Sequence, residues 1–435
     1  MYDYAILNGK LYIDGAWVQK NLYVQNEKIA LIDKALFPSR EVMDAQGLEV
    51  LPGVIDPHVH FDLDLGWIHS VDDFYYGSVA AAFGGVTSII DFLDPASNAE
   101  ELEAAYRKRL ALASKCQVDY QFHATIKKPT GNLEAFVLKM KGLGMHTLKL
   151  FTTYSDSGRR TYDESIIELL KLSNKHHFLI EAHIENDDMI KLNPKYTYKD
   201  LLISRPSESE TTETLKLAGY VRKYGGHFYM VHLSSGRTLE ALVKDYSDIL
   251  NKSFFVESCP QYFTFTSDVL QKENGYLYSF APPLRSIEEQ RLLFDYADRI
   301  DTIGTDHCAF NRSEKMKKSL KKTPLGIGGI EFSLPVMRHH LGDAAINKMT
   351  LRVASLMGLD KKGKLEVGYD ADLALFKPDA NRVITISHGL ADYSVYTGQR
   401  AAGIVVSTMV RGHFIMKDRQ FLGGTGKWVK GNEII

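Results

Sequence analysis

Eight short apolar segments, each followed by sequence of helical character, constrain this 435-residue chain more than any other feature. They are LPGVIDPHVHF, TSIIDF (87–92), DYQFHATI (119–126), TLKLFTTY (147–154), FLIEAHIE (178–185), HFYMVHLSS (227–235), FFVESCPQYF (254–263) and DTIGTDHC (301–308). Between them lie helix-like stretches such as DDFYYGSVAAAF, NAEELEAAYRKRLALASK, DESIIELLKLSNKH and SIEEQRLLFDYADRI. Short buried strands alternating with helices build parallel βα units. An open doubly wound sheet would also read this way, but eight strands is the count of a closed (β/α)8 barrel. The expected fold is therefore α/β, a TIM barrel over residues 53–362.

The two ends of the chain have a different texture. YAILNGKLYI alternates around Asn8-Gly9, which signals a hairpin, and NLYVQNEKIALID repeats the style. After about residue 363, GKLEVGYDADLALF and AAGIVVSTMVRGHFIMKDRQFLG are again strand and turn sequence. The expectation is one small β-sandwich domain assembled from both ends, 1–52 with 363–435.

Composition narrows the function classes. Lys plus Arg number 52 and Asp plus Glu 54, so neither nucleic acid nor an anionic membrane is an expected partner. No stretch of about 18 apolar residues suggests a membrane span, and the N-terminal MYDYAILNGK lacks the apolar region of a signal peptide. Cys116, Cys259 and Cys308 are an odd count with no close pair. That argues against a disulfide framework and fits a reducing compartment, so the cytoplasm is the expected location.

Placing the polar residues on the strands assembles a constellation. His58 and His60 sit at the end of the first segment, and alternation puts i and i+2 on one face. Lys149 lies in the fourth segment, His183 in the fifth, His232 in the sixth, and Asp306 closes the eighth. All lie near C-terminal strand ends, where barrel enzymes build their sites. Imidazole and carboxylate ligands suit zinc or another divalent first-row metal. His123, in the middle of its strand, reads as a hydrogen-bonded core residue. Lys149 is open to two readings. An ammonium cannot ligate a metal; the residue either snorkels to solvent, or loses its proton on burial and reacts with carbon dioxide to give a carbamate that could bridge two metals.

These residues carry a resemblance. LPGVIDPHVHF, VDDFYYGSVAAAFGGVTSIIDF, LKLFTTY, EAHIEN, VHLSS, ESCPQYF, APPLR and GTDHCAF are similar to successive motifs of dihydropyrimidinases and D-hydantoinases, in the amidohydrolase superfamily. VGYDADLALFKPD through VRGHFIMKDRQFLG resembles their tail, so the likeness covers essentially the whole chain. It implies a site for two divalent metal ions, with zinc the first choice. His58, His60 and Asp306 would hold the more buried ion and His183 and His232 the second, with carboxylated Lys149 bridging both. Tyr154 matches the tyrosine whose hydroxyl assists at the substrate carbonyl, and Asp306 would shuttle the proton to the leaving ring nitrogen. The implied reaction opens a dihydropyrimidine or 5-substituted hydantoin ring to an N-carbamoyl amino acid. The implied partner is a small cyclic ureide or amide, and the implied assembly a homotetramer or dimer.

The chain departs from the family pattern at two ring-lining positions. Ala281 stands where a serine is usual, before Pro-Pro-Leu-Arg, and Leu325 where an asparagine is usual. Much of the recognition there is main-chain in the family, so the side chains need not abolish it. Leu63, Leu65 and Trp67 in the loop after His60, with Phe151, give an apolar lining that predicts a preference for aromatic or alkyl ring substituents. The basic run NRSEKMKKSLKKTP reads as a solvated loop, and Cys308 as a packing thiol. Dihydroorotase is disfavoured, because Asp62 stands where the carboxylate-gripping arginine of HxHxR would be. Allantoinase or another cyclic-amide hydrolase remains an alternative, as does a non-catalytic scaffold related to dihydropyrimidinase; the six retained ligand types weigh against the scaffold.

Overall fold

The computed structural model describes residues 1–433, so the last two positions of the expected 363–435 segment lie outside the described residues. Eight parallel strands form the central sheet: β1 (Val54–Val59), β2 (Val86–Phe92), β3 (Asp119–Thr125), β4 (Thr147–Phe151), β5 (Leu179–His183), β6 (His227–Met230), β7 (Phe254–Ser258) and β8 (Thr302–Ile303). They pair in sequence order. Val59 bridges His307, and the His60 N–H donates to the His307 carbonyl at 2.8 Å. The first strand thus meets the chain just beyond the eighth, and the sheet closes into a (β/α)8 barrel. Every residue of β2 and β3 is buried, as strands covered on both faces require.

Outside the barrel, the helix Asp163–His176 buries Ile166, Leu169, Leu170 and Ser173, a spacing of three to four that turns one face inward. Each fully buried leucine or isoleucine contributes about 1.5–3 kcal/mol. Asn98 and Ser235 start the helices Ala99–Leu112 and Gly236–Tyr246 by accepting from the Glu101 and Thr238 N–H groups, each worth about 1 kcal/mol.

Several strands end sooner than the sequence segments suggest, and β7 and β8 show why. The expected seventh segment runs to residue 263, but β7 stops at Ser258 and Pro260–Thr264 is a helix with proline at its start. Proline has no N–H for a ladder, and its fixed φ suits the first turn of a helix. In β8 only two residues pair. The Asp56 carboxylate takes over beyond them, accepting from the Thr305 N–H (3.1 Å) and hydroxyl (2.6 Å).

The chain ends form two further sheets. One has four strands in the order Lys28–Asp33, Asn21–Gln25, Tyr2–Leu7, Ser39–Asp44. In the other, of seven strands, Leu373–Val383 runs antiparallel to Glu49–Pro52, pairing Leu375 with Val50. Ile6, Leu11, Val24, Val50, Leu373 and Met409 belong to a hydrophobic cluster of their own.

The hairpin expected at Asn8-Gly9 is absent. Tyr2–Leu7 pairs with Asn21–Gln25 in one sheet, while Lys10–Ile13 pairs with Ala16–Gln19 in the other. Asn8-Gly9 is a crossing between sheets, and glycine is needed because a Cβ there would lie 2.7 Å from the Val50 side chain. The tight turns between paired strands are Asp14-Gly15 and Asn26-Glu27, with both central residues at positive φ, as type I′ turns require.

At the N-terminal ends of the barrel strands, residues 426–431 lie along the chain through Cys116, Tyr120 and Gly144 by main-chain hydrogen bonds. Trp428 packs on Phe122 with ring centroids 4.9 Å apart. Among the described residues no helix is long and apolar enough to cross a membrane. The three cysteines are buried free thiols.

Candidate active site

The opposite, C-terminal end of the barrel gathers the chemistry. His58, His60, Lys149, His183, His232 and Asp306 line one pocket, together with Tyr154, Phe151, Leu65, Ala281 and Leu325. His58, His183 and His232 rings follow one another around it, with His58–His232 centroids at 5.4 Å and His183–His232 at 4.6 Å. His58, Lys149 and His183 lie within strands; His60, His232 and Asp306 come just after β1, β6 and β8. His232 and Asp306 have positive φ, as does Tyr154. Non-glycine residues held there cost roughly 1–3 kcal/mol each, and such strain gathers at functional sites.

One oxygen of Asp306 faces two imidazoles, 3.2 Å from His58 Nε2 and 3.1 Å from His60 Nε2. The donor atoms of these three residues all lie within 4.8 Å of one another, a cluster that a divalent cation can bridge. One ring nitrogen of His58 and one of His183 are already committed. His58 Nδ1 lies 2.8 Å from Glu257, which also accepts from the His232 N–H (2.9 Å) and the Tyr229 hydroxyl (2.8 Å). His183 Nε2 lies 2.6 Å from Glu185, itself paired with Arg205. This leaves Nε2 of His58 and Nδ1 of His183 as the free nitrogens of those two rings, beside His60 Nε2 facing Asp306 and the buried His232 Nδ1, which has no partner among the described residues. Carboxylate partners behind ligating histidines fix the tautomer and raise basicity, as metal sites require.

Charge follows burial. Burial lowers the pKa of His60, to about 4, and of His183, and takes His232 well below its ordinary value, so these imidazoles are neutral and ligand-ready. Burial also acts on His58, but the Glu257 and Asp306 carboxylates overcome it and lift its pKa to about 9. Burial pulls Lys149 down to about 8, against the nearby carboxylates of Glu181 and Glu257. Lys149 is 2% exposed, which rules out the snorkelling alternative. Burial raises the Tyr154 hydroxyl, so it stays protonated. Arg205 lies over the Tyr154 ring at 4.9 Å.

Some sequence expectations need correction. Trp67 does not line the pocket and is 57% exposed. The Leu65 N–H bonds the Ile68 carbonyl, so Trp67 sits at the tip of a turn, while Leu63 and Leu65 face the pocket. The basic run is not wholly solvated, because Lys315 is completely buried. His123 is a core residue, bonded to the Pro57 carbonyl (2.8 Å) and the Thr147 hydroxyl (2.6 Å). Sequence reasoning missed Glu257, Glu185 and Arg205. Glu185 was accessible in principle, since it stands two residues after His183; Arg205 arrives from a distant loop and left no local sign.

The sequence matches the amidohydrolase family over residues 50–415. The chain belongs to that family. Within it, this amidohydrolase is 33% identical to a D-hydantoinase of Geobacillus stearothermophilus over 98% of its own length and 96% of the relative's. It is 31% identical to a D-phenylhydantoinase of Escherichia coli O127:H6 over 89% and 88%. Its fold superimposes on the D-hydantoinase of Bacillus sp. AR9 with a TM-score of 0.94 at 28% identity, and on the dihydropyrimidinase of Brevibacillus agri with 0.92 at 28%, covering 100% of both chains in each case. The amidohydrolase thus lies in the dihydropyrimidinase/D-hydantoinase branch, a group of metal-dependent cyclic amide hydrolases.

Proposed function

We propose that the protein opens a dihydropyrimidine or 5-substituted hydantoin ring to an N-carbamoyl amino acid. The observation that carries this reading is the convergence of six ligand-type groups and Tyr154 on the pocket that Ala281 and Leu325 also line. The donor set fits a pair of divalent cations, zinc first among them: His58, His60 and Asp306 for one, His183 and His232 for the other, and Lys149 as a carbamate between them. Burial favours the neutral Lys149 amine. Once the ammonium has lost a proton, the neutral nitrogen adds to the carbon of carbon dioxide: an N–C bond forms as one C=O π bond opens onto oxygen, a second proton leaves the nitrogen, and the side chain becomes a carbamate anion. When bound, the cations lower the pKa of water and so supply a hydroxide nucleophile at neutral pH.

The chain's own groups do the rest. The Tyr154 hydroxyl donates to the carbonyl oxygen as negative charge develops on it. Asp306, its Oδ1 between His58 and His60, accepts the nucleophile's proton and returns it to the leaving ring nitrogen. Leu63, Leu65 and Phe151 offer an apolar wall to the ring substituent. The partner is thus a small cyclic ureide, and the expected assembly a homotetramer or dimer, which light scattering reads out.

Metal content and ring opening on dihydrouracil, hydantoin, phenylhydantoin, allantoin and dihydroorotate test the proposal. Two metals per chain, turnover of phenylhydantoin above dihydrouracil, and loss of activity in Lys149→Ala are expected. A metal-loaded protein that opens none of these rings overturns it.

A further inference from the structure

Lys315 is the one residue of the basic run 311–324 that is both charged and fully buried. No carboxylate lies within ion-pair distance among the described residues. Its Nζ instead donates to three main-chain carbonyls, those of Ser279, Gly326 (2.6 Å) and Pro324 (3.2 Å). An ammonium has three N–H donors and no acceptor, so all three are used. A buried cation without a carboxylate partner is costly unless its donors are satisfied. Burial lowers its pKa to about 7, against a smaller upward pull from the Cys308 thiol.

The acceptors have one thing in common. They come from the two segments that carry Ala281 and Leu325, on the pocket wall. The Gly326 N–H also bonds the Ser279 carbonyl, at 3.1 Å, so the segments are tied to each other as well as to Lys315. In a trans peptide the C=O and the following N–H point in opposite directions. With the Pro324 carbonyl turned toward Lys315, the Leu325 N–H points away from it. That N–H has no acceptor among the described residues, and its own residue lines the pocket.

The geometry points to Lys315 as a positioning residue that fixes the main chain around Ala281 and Leu325 for recognition of the substrate ring. This deepens the ring-opening proposal and rests on it. It also accounts for the tolerance of Ala281 and Leu325 in place of polar side chains: a backbone pinned from behind keeps its hydrogen-bonding groups aimed at the ring whatever side chain it carries.

The test compares the metal-loaded enzyme with its Lys315→Met and Lys315→Gln variants, by kinetics on the best ring of the panel and by calorimetric titration with the ring-opened product. Lys315→Met is expected to raise KM and the product Kd at least tenfold, with kcat within about threefold and metal content unchanged. Lys315→Gln, which keeps two donors, is expected to fall between. A ring bound and turned over equally well by enzyme and variants overturns the inference. So does a parallel loss of kcat, metal and thermal stability in both variants, which would make Lys315 a folding residue only. If the unaltered enzyme neither binds nor opens any ring, the ring-opening proposal itself fails, a result visible before any variant is made.

Discussion

Tyr154, His232 and Asp306 each have a left-handed backbone that a non-glycine residue rarely adopts. Nothing in the sequence announces this, although the residues themselves were legible: histidines two apart at a strand end, and single polar groups closing later strands. What sequence left hidden is the support behind them. Glu185 stands between His183 and Arg205, and partners behind ligating histidines typically contribute 10- to 100-fold in metal affinity. If the proposed pair of metals is bound, Glu185→Ala is expected to weaken the one assigned to His183 by about that factor, read by competition with a chelator; unchanged retention of metal would show that His183 is oriented without it. Tyr154→Phe removes only a hydroxyl. It is expected to lower kcat by about a hundredfold with metal content and KM little changed. An unchanged kcat would take Tyr154 out of the reaction.

At the scale of elements, the alternation of strand and helix was readable because burial on both faces makes barrel strands apolar throughout, and β2 and β3 are buried along their whole length. Boundaries were less readable, since they depend on which main-chain groups find partners. CPQYF is apolar enough for a strand, yet Pro260 turns it into a helix, and Asn8-Gly9 has hairpin chemistry but is spent on a crossing between sheets. Close packing of elements is equally invisible in sequence. Gly236, the first residue of its helix, has no space for a side chain: a Cβ would lie 2.0 Å from the Glu289 carbonyl oxygen and 2.5 Å from the Leu293 nitrogen. Both atoms are backbone of the helix Ile287–Asp295, so they cannot swing aside. Gly236→Ala should force the two helices apart and cost about 1–3 kcal/mol, seen as a lower denaturant midpoint. Since Gly236 is remote from the ligands in its contacts, the activity of the folded fraction should persist; an unshifted midpoint would mean the helices part freely.

At the scale of the molecule, the division we propose between the barrel (53–362) and the sandwich of both chain ends (1–52 with 363–435) has an ionic cluster at its seam. Lys362, the last residue assigned to the barrel, donates to Asp119 (2.7 Å), which opens β3, and to Asp372 (2.6 Å), which precedes the strand Leu373–Val383. Asp119 also accepts from Arg411 and from the Lys427 N–H. All three central groups are buried. The texture change near residue 363 was legible in the sequence, but this cluster was not, because its members are 119, 362, 372 and 411, scattered across an unremarkable charge balance. The Asp119, Asp370 and Asp372 carboxylates lie close enough together to suggest a cation site, yet the ammonium of Lys362 already occupies their centre. Removing it strands buried carboxylates, a loss of about 3–5 kcal/mol when one partner of a buried pair is deleted. Lys362→Met is therefore expected to unfold at markedly lower denaturant. Adding Asp119→Asn and Asp372→Asn should recover much of the loss, because the penalty lies in the uncompensated charge and not in the missing contacts. Recovery in the triple variant would establish that the cluster fixes how the two parts join. A triple variant no more stable than Lys362→Met alone would show that the hydrogen bonds, and not the charges, hold the seam together.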